Sequence, residues 1–253
     1  MFNPRSNSPF GRRNNGAFGS SPYQYQTLPY GYEGTQASGL IGKVMGLLAF
    51  SFLFACVGTF VGFFVVQSLG MYFLIAIAGL VVLLILRFTI QVQGLNLFLL
   101  YLFTFLEGMA ISPIIGYYLT RDVANGPNIL GEAFLITALT TFGLAAYAWT
   151  TKRDFSRLAD YLFFGLILLI VASIVGIFFG GIFHTPLVAL VISIFGVAIF
   201  SGYVLYYVQR AKYMADTMPN AIGLAVSLFI TVLNLFLYIL QILSILQGGN
   251  RRS

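Results

Sequence analysis

From Gly94 to Leu119 the chain reads GLNLFLLYLFTFLEGMAISPIIGYYL, and Glu107 is the only charged residue in this stretch. A transmembrane helix needs about 20 consecutive apolar residues, so the stretch predicts a membrane span. A charged side chain at the centre of a span costs about 2.5–3.5 kcal/mol on insertion scales. Glu107 is therefore expected to face the bundle interior, a partner or water, and it is a candidate functional residue.

The composition extends this prediction to the whole chain. Hydrophobic residues make up 59% of the sequence, charged residues only 8%, and the mean hydropathy is +0.91. About a quarter of a typical globular sequence is charged. Seven continuous apolar runs predict an all-α integral membrane protein in a lipid bilayer, not the alternating strands of a barrel. The runs lie at about 44–66, 71–92, 94–119, 129–151, 160–182, 185–208 and 220–247.

The runs define the predicted domain organisation. Residues 1–38 are rich in Asn, Ser, Pro, Gly, Tyr and Gln and predict a disordered cytoplasmic tail. Residues 39–248 form the predicted membrane domain, and residues 249–253 a short C-terminal tail. Two short connections separate neighbouring runs, one at Gln91–Gly94 and one at His184–Pro186, where proline disfavours helix at the preceding residue.

The basic residues predict the orientation through the positive-inside rule. Ten lysines and arginines lie in one set of connections and three in the other. The N-terminus is therefore expected in the cytoplasm and the C-terminus outside. The same distribution accounts for the net charge of +6, so no nucleic-acid partner is expected.

The last run carries a polar stripe at helical spacing, which places its members on one face of a helix. The stripe comprises Ser227, Thr231, Asn234, Tyr238, Gln241 and Ser244. Two readings stay open: hydrogen bonds between helices, and the lining of a water-filled path.

Other residues have simpler structural readings. Arg87 is expected to extend to the membrane interface, and its alternative role is a latch that pairs with Glu107 or a helix end. Gly58 and Gly62 match the GxxxG spacing and predict close helix packing within the bundle. The sequence contains no HExxH, GxSxG or Walker A motif, and its one histidine and one cysteine do not make a metal site. Neither an enzyme nor a cofactor is expected.

Four stretches, in this order, resemble the Bax inhibitor-1 family of seven-helix membrane proteins, and its bacterial inner-membrane branch most closely. They are FTFLEGMAISPI (Phe103–Ile114), AYAWTTKRDFSRL (Ala146–Leu158), SGYVLYY (Ser201–Tyr207) and VSLFITVLNLFLYILQIL (Val226–Leu243). The resemblance implies a bundle in which six helices surround a central seventh. It also implies localisation in the bacterial inner membrane.

The resemblance carries two functional expectations. Some members are pH-sensitive calcium leak channels in which two aspartates form a sensor, and one bacterial member restrains a membrane-anchored AAA protease. The positions that match the aspartates are Tyr207 and Thr231, and neither residue is acidic. A tyrosine and a threonine do not replace two carboxylates that share a proton.

Three classes of function follow as hypotheses. The first is a cation leak pathway for calcium or protons, with Glu107 as its titratable group and Tyr207, Thr231 and Asn234 as candidate lining. The second is a non-transporting stress regulator that binds a membrane-anchored AAA protease. The third is secondary transport of an organic solute, for which the halves of the chain show no convincing repeat.

Overall fold

The computed structural model describes residues 33–120, 126–179 and 185–249. Within these ranges the chain forms seven α-helices, each long and apolar enough to cross a membrane. They are α1 (Glu33–Val65), α2 (Leu69–Thr89), α3 (Leu95–Thr120), α4 (Gly126–Thr150), α5 (Leu158–Phe179), α6 (Pro186–Ala211) and α7 (Met218–Gly249). The predicted all-α fold with seven membrane-spanning helices is confirmed.

The first helix begins earlier than the first apolar run. Helix α1 starts at Glu33, whereas its membrane-spanning part starts at Gly39. Hydropathy indicates where a helix enters the hydrocarbon. It does not indicate where the backbone hydrogen bonds of the helix begin, so the apolar run does not predict the start of α1. The remaining residues of the predicted tails, 1–32 and 250–253, lie outside the described ranges.

The connection between α2 and α3 is short, as predicted. Gly94 has a φ of +80°, a conformation that glycine adopts without steric cost. The buried Asn96 completes the connection, because its amide nitrogen donates to the Ile90 carbonyl at 2.9 Å and its oxygen accepts from the Leu97 amide at 2.8 Å. Helix α6 begins at Pro186, where the fixed φ of proline suits the first helical position.

The described residues divide into two compact units. The first unit contains α1, α2, α3 and the segment Arg210–Phe229, and in it α3 packs against both α1 and α2. The ring of Phe229, from the first part of α7, contacts Phe52 of α1 at 5.2 Å and Phe103 of α3 at 6.1 Å between centroids. Phe229 and Phe103 are fully buried, so this cluster forms the core of the first unit.

Glycines bring α1 and α3 into direct backbone contact. A Cβ added at Gly58 would lie 2.1 Å from the Phe105 carbonyl oxygen, and one added at Gly62 would lie 2.4 Å from Ser112 Oγ. Gly108 of α3 meets the α1 backbone in the same way, at 2.1 Å. The predicted close packing by the Gly58–Gly62 pair within the bundle is therefore confirmed.

The second unit contains α4, α5, α6 as far as Gln209, and α7 from Ile230 onward. Aromatic rings connect α7 to its neighbours in this unit: Phe236 stacks on Phe134 of α4 with centroids 4.4 Å apart. A Cβ added at Gly202 of α6 would lie 2.6 Å from Leu162 of α5. These helices therefore pack at close range.

Helix α7 is the most buried of the seven. Buried residues make up 61% of the most apolar 18-residue stretch of α7. The corresponding share is 39% or less in each of the other six helices. Such burial is expected of the central helix in the predicted arrangement.

Candidate functional site

Glu107 lies on α3 in the first unit and faces α2. A Cβ added at the buried Gly79 of α2 would lie 3.4 Å from Glu107 Oε1, so the carboxylate rests against a position that has no side chain. Among the residues that the structure describes, the Glu107 carboxylate has no hydrogen bond and no ion pair. The side chain is partly buried. A membrane-spanning segment therefore contains a carboxylate without a compensating partner in the described part of the chain.

Two described cations of the first unit lie on the helices packed against α3. Lys43 of α1 pairs with Asp216 at 3.0 Å, and Arg87 is exposed in the last turn of α2. Arg87 lies eight positions beyond Gly79, which corresponds to about 12 Å along a helix. The alternative reading of Arg87 as a latch that pairs with Glu107 or a helix end stays a prediction.

Three further candidates lie in the second unit. Tyr207 of α6 is partly buried, and its ring stacks on Tyr203 with centroids 5.6 Å apart. Thr231 of α7 is buried. The Asn234 amide nitrogen donates to the Ile230 carbonyl of its own helix at 2.8 Å. These candidates lie on α6 and α7 of one unit, whereas Glu107 belongs to the other.

The polar stripe of α7 is partly satisfied within its own helix. The Ser227 hydroxyl donates to the Gly223 carbonyl at 2.9 Å, four residues earlier, as Asn234 does to Ile230. The ring of Tyr238 lies flat against α6, where a Cβ added at Gly196 would be 2.5 Å from it. The Ser227 and Asn234 side chains therefore each return one donor to the backbone of α7.

A row of aromatic side chains extends from α7 along α6 to Tyr207. Tyr238 stacks on Phe200 at 5.8 Å, Phe200 contacts Tyr203 at 6.1 Å, and Tyr203 stacks on Tyr207. Tyr207 therefore lies within a row of aromatic rings that continues to Tyr206, with centroids 5.2 Å apart. The sequence indicated Tyr207 as a candidate residue but did not predict this row. Phe200 and Tyr203 are typical of apolar and interfacial positions in a membrane helix.

Gln209 is a buried polar residue that the sequence analysis missed. Its side-chain oxygen accepts from the Phe155 amide at 2.6 Å, and its nitrogen donates to the Arg153 carbonyl. The side chain therefore binds the backbone of residues 151–157, which we term the basic loop. The ring of Phe155 adds a contact with Tyr147 of α4, with centroids 6.2 Å apart. No local pattern in the sequence predicts the pairing of Gln209 with a loop more than 50 residues away.

The connection between α6 and α7 is attached to α1. The Asp216 carboxylate pairs with Lys43 and also fills the space over Gly39, where a Cβ would lie 2.5 Å from Asp216 Oδ2. Asn220, in the first turn of α7, donates to the Ala215 carbonyl of the connection at 2.8 Å. Burial also lowers the pKa of Lys212 in this segment, since loss of water disfavours the charged ammonium.

These features define a multi-pass helical membrane protein with an isolated carboxylate in one span. Among the described residues, no group of three His, Cys, Asp or Glu side chains could hold a metal ion. The profile described as inhibitor of apoptosis-promoting Bax1 matches residues 37–248, which contain all seven spans. The chain belongs to the Bax inhibitor-1 family.

Individual relatives span bacteria and animals. An uncharacterized membrane protein of Vibrio cholerae is 35% identical over 150 residues, which cover 59% of this chain and 64% of that protein. An uncharacterized protein of Campylobacter jejuni is 32% identical over 220 residues, covering 84% and 92% of the two chains. Protein lifeguard 4 of Mus musculus is 29% identical over 180 residues, or 71% of each chain.

Proposed function

We propose that this Bax inhibitor-1 family protein forms a cation pathway that responds to pH through Glu107. The observation that supports the proposal is the Glu107 carboxylate, which faces Gly79 within the membrane and has no partner among the described residues. An intramembrane ionisable residue is a functional candidate by default, because its insertion is costly. A calcium ion or a proton would supply the missing positive charge.

Among the candidate residues, Glu107 is the one that carries a carboxyl group. The positions that hold the family's two aspartates contain Tyr207 and Thr231, which carry no charge near neutral pH. The helices packed against α3 in the first unit contribute Lys43, paired with Asp216, and Arg87 at a helix end. Protonation of Glu107 would remove the one negative charge in α3, and with it the attraction for a passing cation.

The test is calcium flux into proteoliposomes between pH 5 and 8. Wild type is compared with Glu107→Gln, which keeps the shape of the side chain and removes its charge. Glu132→Gln is the matched control, since Glu132 is exposed at the start of α4 and accepts a hydrogen bond from Gln247 at 2.7 Å that the amide can keep. We expect pH-dependent flux in wild type and the control, and its loss in Glu107→Gln. Unchanged flux in Glu107→Gln contradicts the proposal.

A second candidate function is a non-transporting stress regulator that binds a membrane-anchored AAA protease. It is favoured by the residues at the two positions that the resemblance matches to aspartates, since Tyr207 and Thr231 carry no carboxylate. Wild-type flux no higher than that of empty liposomes would favour this alternative. Co-purification of the protease with the full chain, and its loss on deletion of residues 1–38, would then support regulation through the tail.

We further propose that the protein resides in the bacterial inner membrane with its N-terminus in the cytoplasm and has no catalytic activity. The asymmetric distribution of lysine and arginine supports this orientation. A C-terminal fusion to alkaline phosphatase is expected to be active, because that enzyme requires an extracytoplasmic location. An inactive phosphatase fusion together with a fluorescent C-terminal green fluorescent protein fusion would reverse the orientation.

A further inference from the structure

The basic loop has a backbone that is fixed at several points. Gln209 binds the loop backbone on both sides of Asp154, and the ring of Phe155 contacts Tyr147. Within the loop, Asp154 accepts from the Ser156 amide at 2.8 Å and from the Ser156 hydroxyl at 3.0 Å. The loop is therefore held in one conformation, unlike an ordinary surface connection.

The cationic side chains of this loop are exposed. Lys152, Arg153 and Arg157 are exposed, and among the described residues their side chains form no hydrogen bond or ion pair. The single carboxylate of the loop, that of Asp154, is occupied by Ser156. The loop thus presents three cations against one carboxylate that is already bonded.

Aromatic side chains place the basic loop at the membrane surface. Tyr147 and Trp149 lie in the last turns of α4, and Tyr161 lies in the first turn of α5; all three are exposed. Tyrosine and tryptophan gather where the hydrocarbon meets the lipid headgroups. The cations between them therefore lie at the level of the phosphates.

We propose that the basic loop binds the phosphate headgroups of anionic phospholipids in the adjoining leaflet. Arginine and lysine are the side chains that recognise phosphate, arginine through its paired donors. Because Gln209 already orders the loop, binding costs less conformational entropy than it would for a flexible segment. The interaction is independent of cation flux and of Glu107, so either inference can fail alone.

The test measures lipid retention by the purified full chain in a non-ionic detergent. Phosphatidylglycerol or phosphatidylcholine is titrated in, and bound lipids are counted by native mass spectrometry. The loop variant replaces Lys152, Arg153 and Arg157 with Gln. The matched control makes the same change at Arg5, Arg12 and Arg13, which removes an equal charge from the N-terminal segment. Each cation near an anionic surface contributes about fivefold, so we expect about a hundredfold weaker phosphatidylglycerol binding in the loop variant.

Several outcomes decide the inference. It is supported if the control variant keeps wild-type binding, if phosphatidylcholine binding is unchanged, and if millimolar inorganic phosphate does not compete. Equal losses in loop and control variants would overturn it, because net charge alone would explain them. Unchanged phosphatidylglycerol binding in the loop variant would also overturn it and would direct attention to an acidic protein partner.

Two further measurements do not depend on the folding of the triple variant. Wild-type retention of phosphatidylglycerol should fall as sodium chloride rises from 50 to 500 mM, because salt screens exposed charges. Retention that does not change with the salt concentration contradicts the inference. Gln209→Leu keeps every cation but releases the loop, so it should bind phosphatidylglycerol more weakly than wild type does. Wild-type binding by Gln209→Leu would refute the contribution of preordering.

Discussion

The contact between α1 and α3 predicts a large penalty for one added methyl group. In Gly58→Ala, the new Cβ would lie 2.1 Å from the Phe105 carbonyl oxygen and 2.9 Å from its carbon. Ordinary contact begins near 3.4 Å, so the first distance falls short by 1.3 Å. The obstacle is backbone and not the end of a flexible side chain. The two helices must therefore separate.

The magnitude follows from three contributions. Overpacking of a well-packed site costs about 1–3 kcal/mol, and a clash with backbone belongs at the upper end of that range. Separation also weakens the contact of Thr59 Oγ1 with the Gly108 carbonyl at 3.0 Å, an interhelical bond worth about 0.6 kcal/mol. Alanine is a better helix former than glycine by about 1 kcal/mol, and this gain opposes the two destabilising contributions. The expected net loss is about 2.5 kcal/mol.

The assay is reversible unfolding in mixed micelles of increasing SDS content, followed by circular dichroism. Gly46→Ala is the matched control, because it lies on the same helix and a Cβ there would meet nothing within 4 Å. The control should be neutral or stabilised by up to about 1 kcal/mol. If Gly58→Ala unfolds at the same SDS fraction as Gly46→Ala, the reasoning about backbone contact is refuted.

Three further changes test other contacts. Gln209→Leu should speed tryptic cleavage within the basic loop of folded protein in micelles, because both hydrogen bonds to the loop backbone are lost; an unchanged rate would contradict the anchoring role. A double-mutant cycle on Lys43 and Asp216 should give a coupling of about 0.5 kcal/mol that declines with salt, since both side chains are partly exposed. A coupling above about 2 kcal/mol would mean that the pair is effectively buried. Gly196→Ala should destabilise the protein by about 1–3 kcal/mol through the tyrosine ring packed on that glycine, whereas Gly143, with open space around it, should tolerate alanine.

Much of the fold could be predicted because the signals that define membrane helices are local. Each span is a continuous apolar run, and the breaks coincide with residues such as Gly94 and Pro186 that end or begin helices. The start of α1 at Glu33 could not be predicted in the same way, because residues before Gly39 are polar. Hydropathy does not indicate whether a helix continues outside the hydrocarbon.

The site was only partly predictable. Glu107 stands out because a carboxylate in an apolar run is rare, and that signal requires no partner. Gln209 gives no such signal, since a glutamine at the end of a span reads as an interfacial residue. Its role depends on the fold bringing the end of α6 to the loop after α4, which is a tertiary fact. Asp216 is similar, because its partner Lys43 lies on the first helix.

The polar stripe of α7 and the carboxylate of α3 have different weight as indicators of a pathway. Periodicity places the polar groups of α7 on one face, but Ser227 and Asn234 return their donors to carbonyls four residues earlier. A hydroxyl or amide donor that is satisfied in this way costs little in a low-dielectric interior. A carboxylate has no such option, because it offers only acceptors when ionised and every backbone amide in mid-helix is already bonded. Glu107 therefore requires a proton, a cation or water, and it is the residue at which a test of transport should begin.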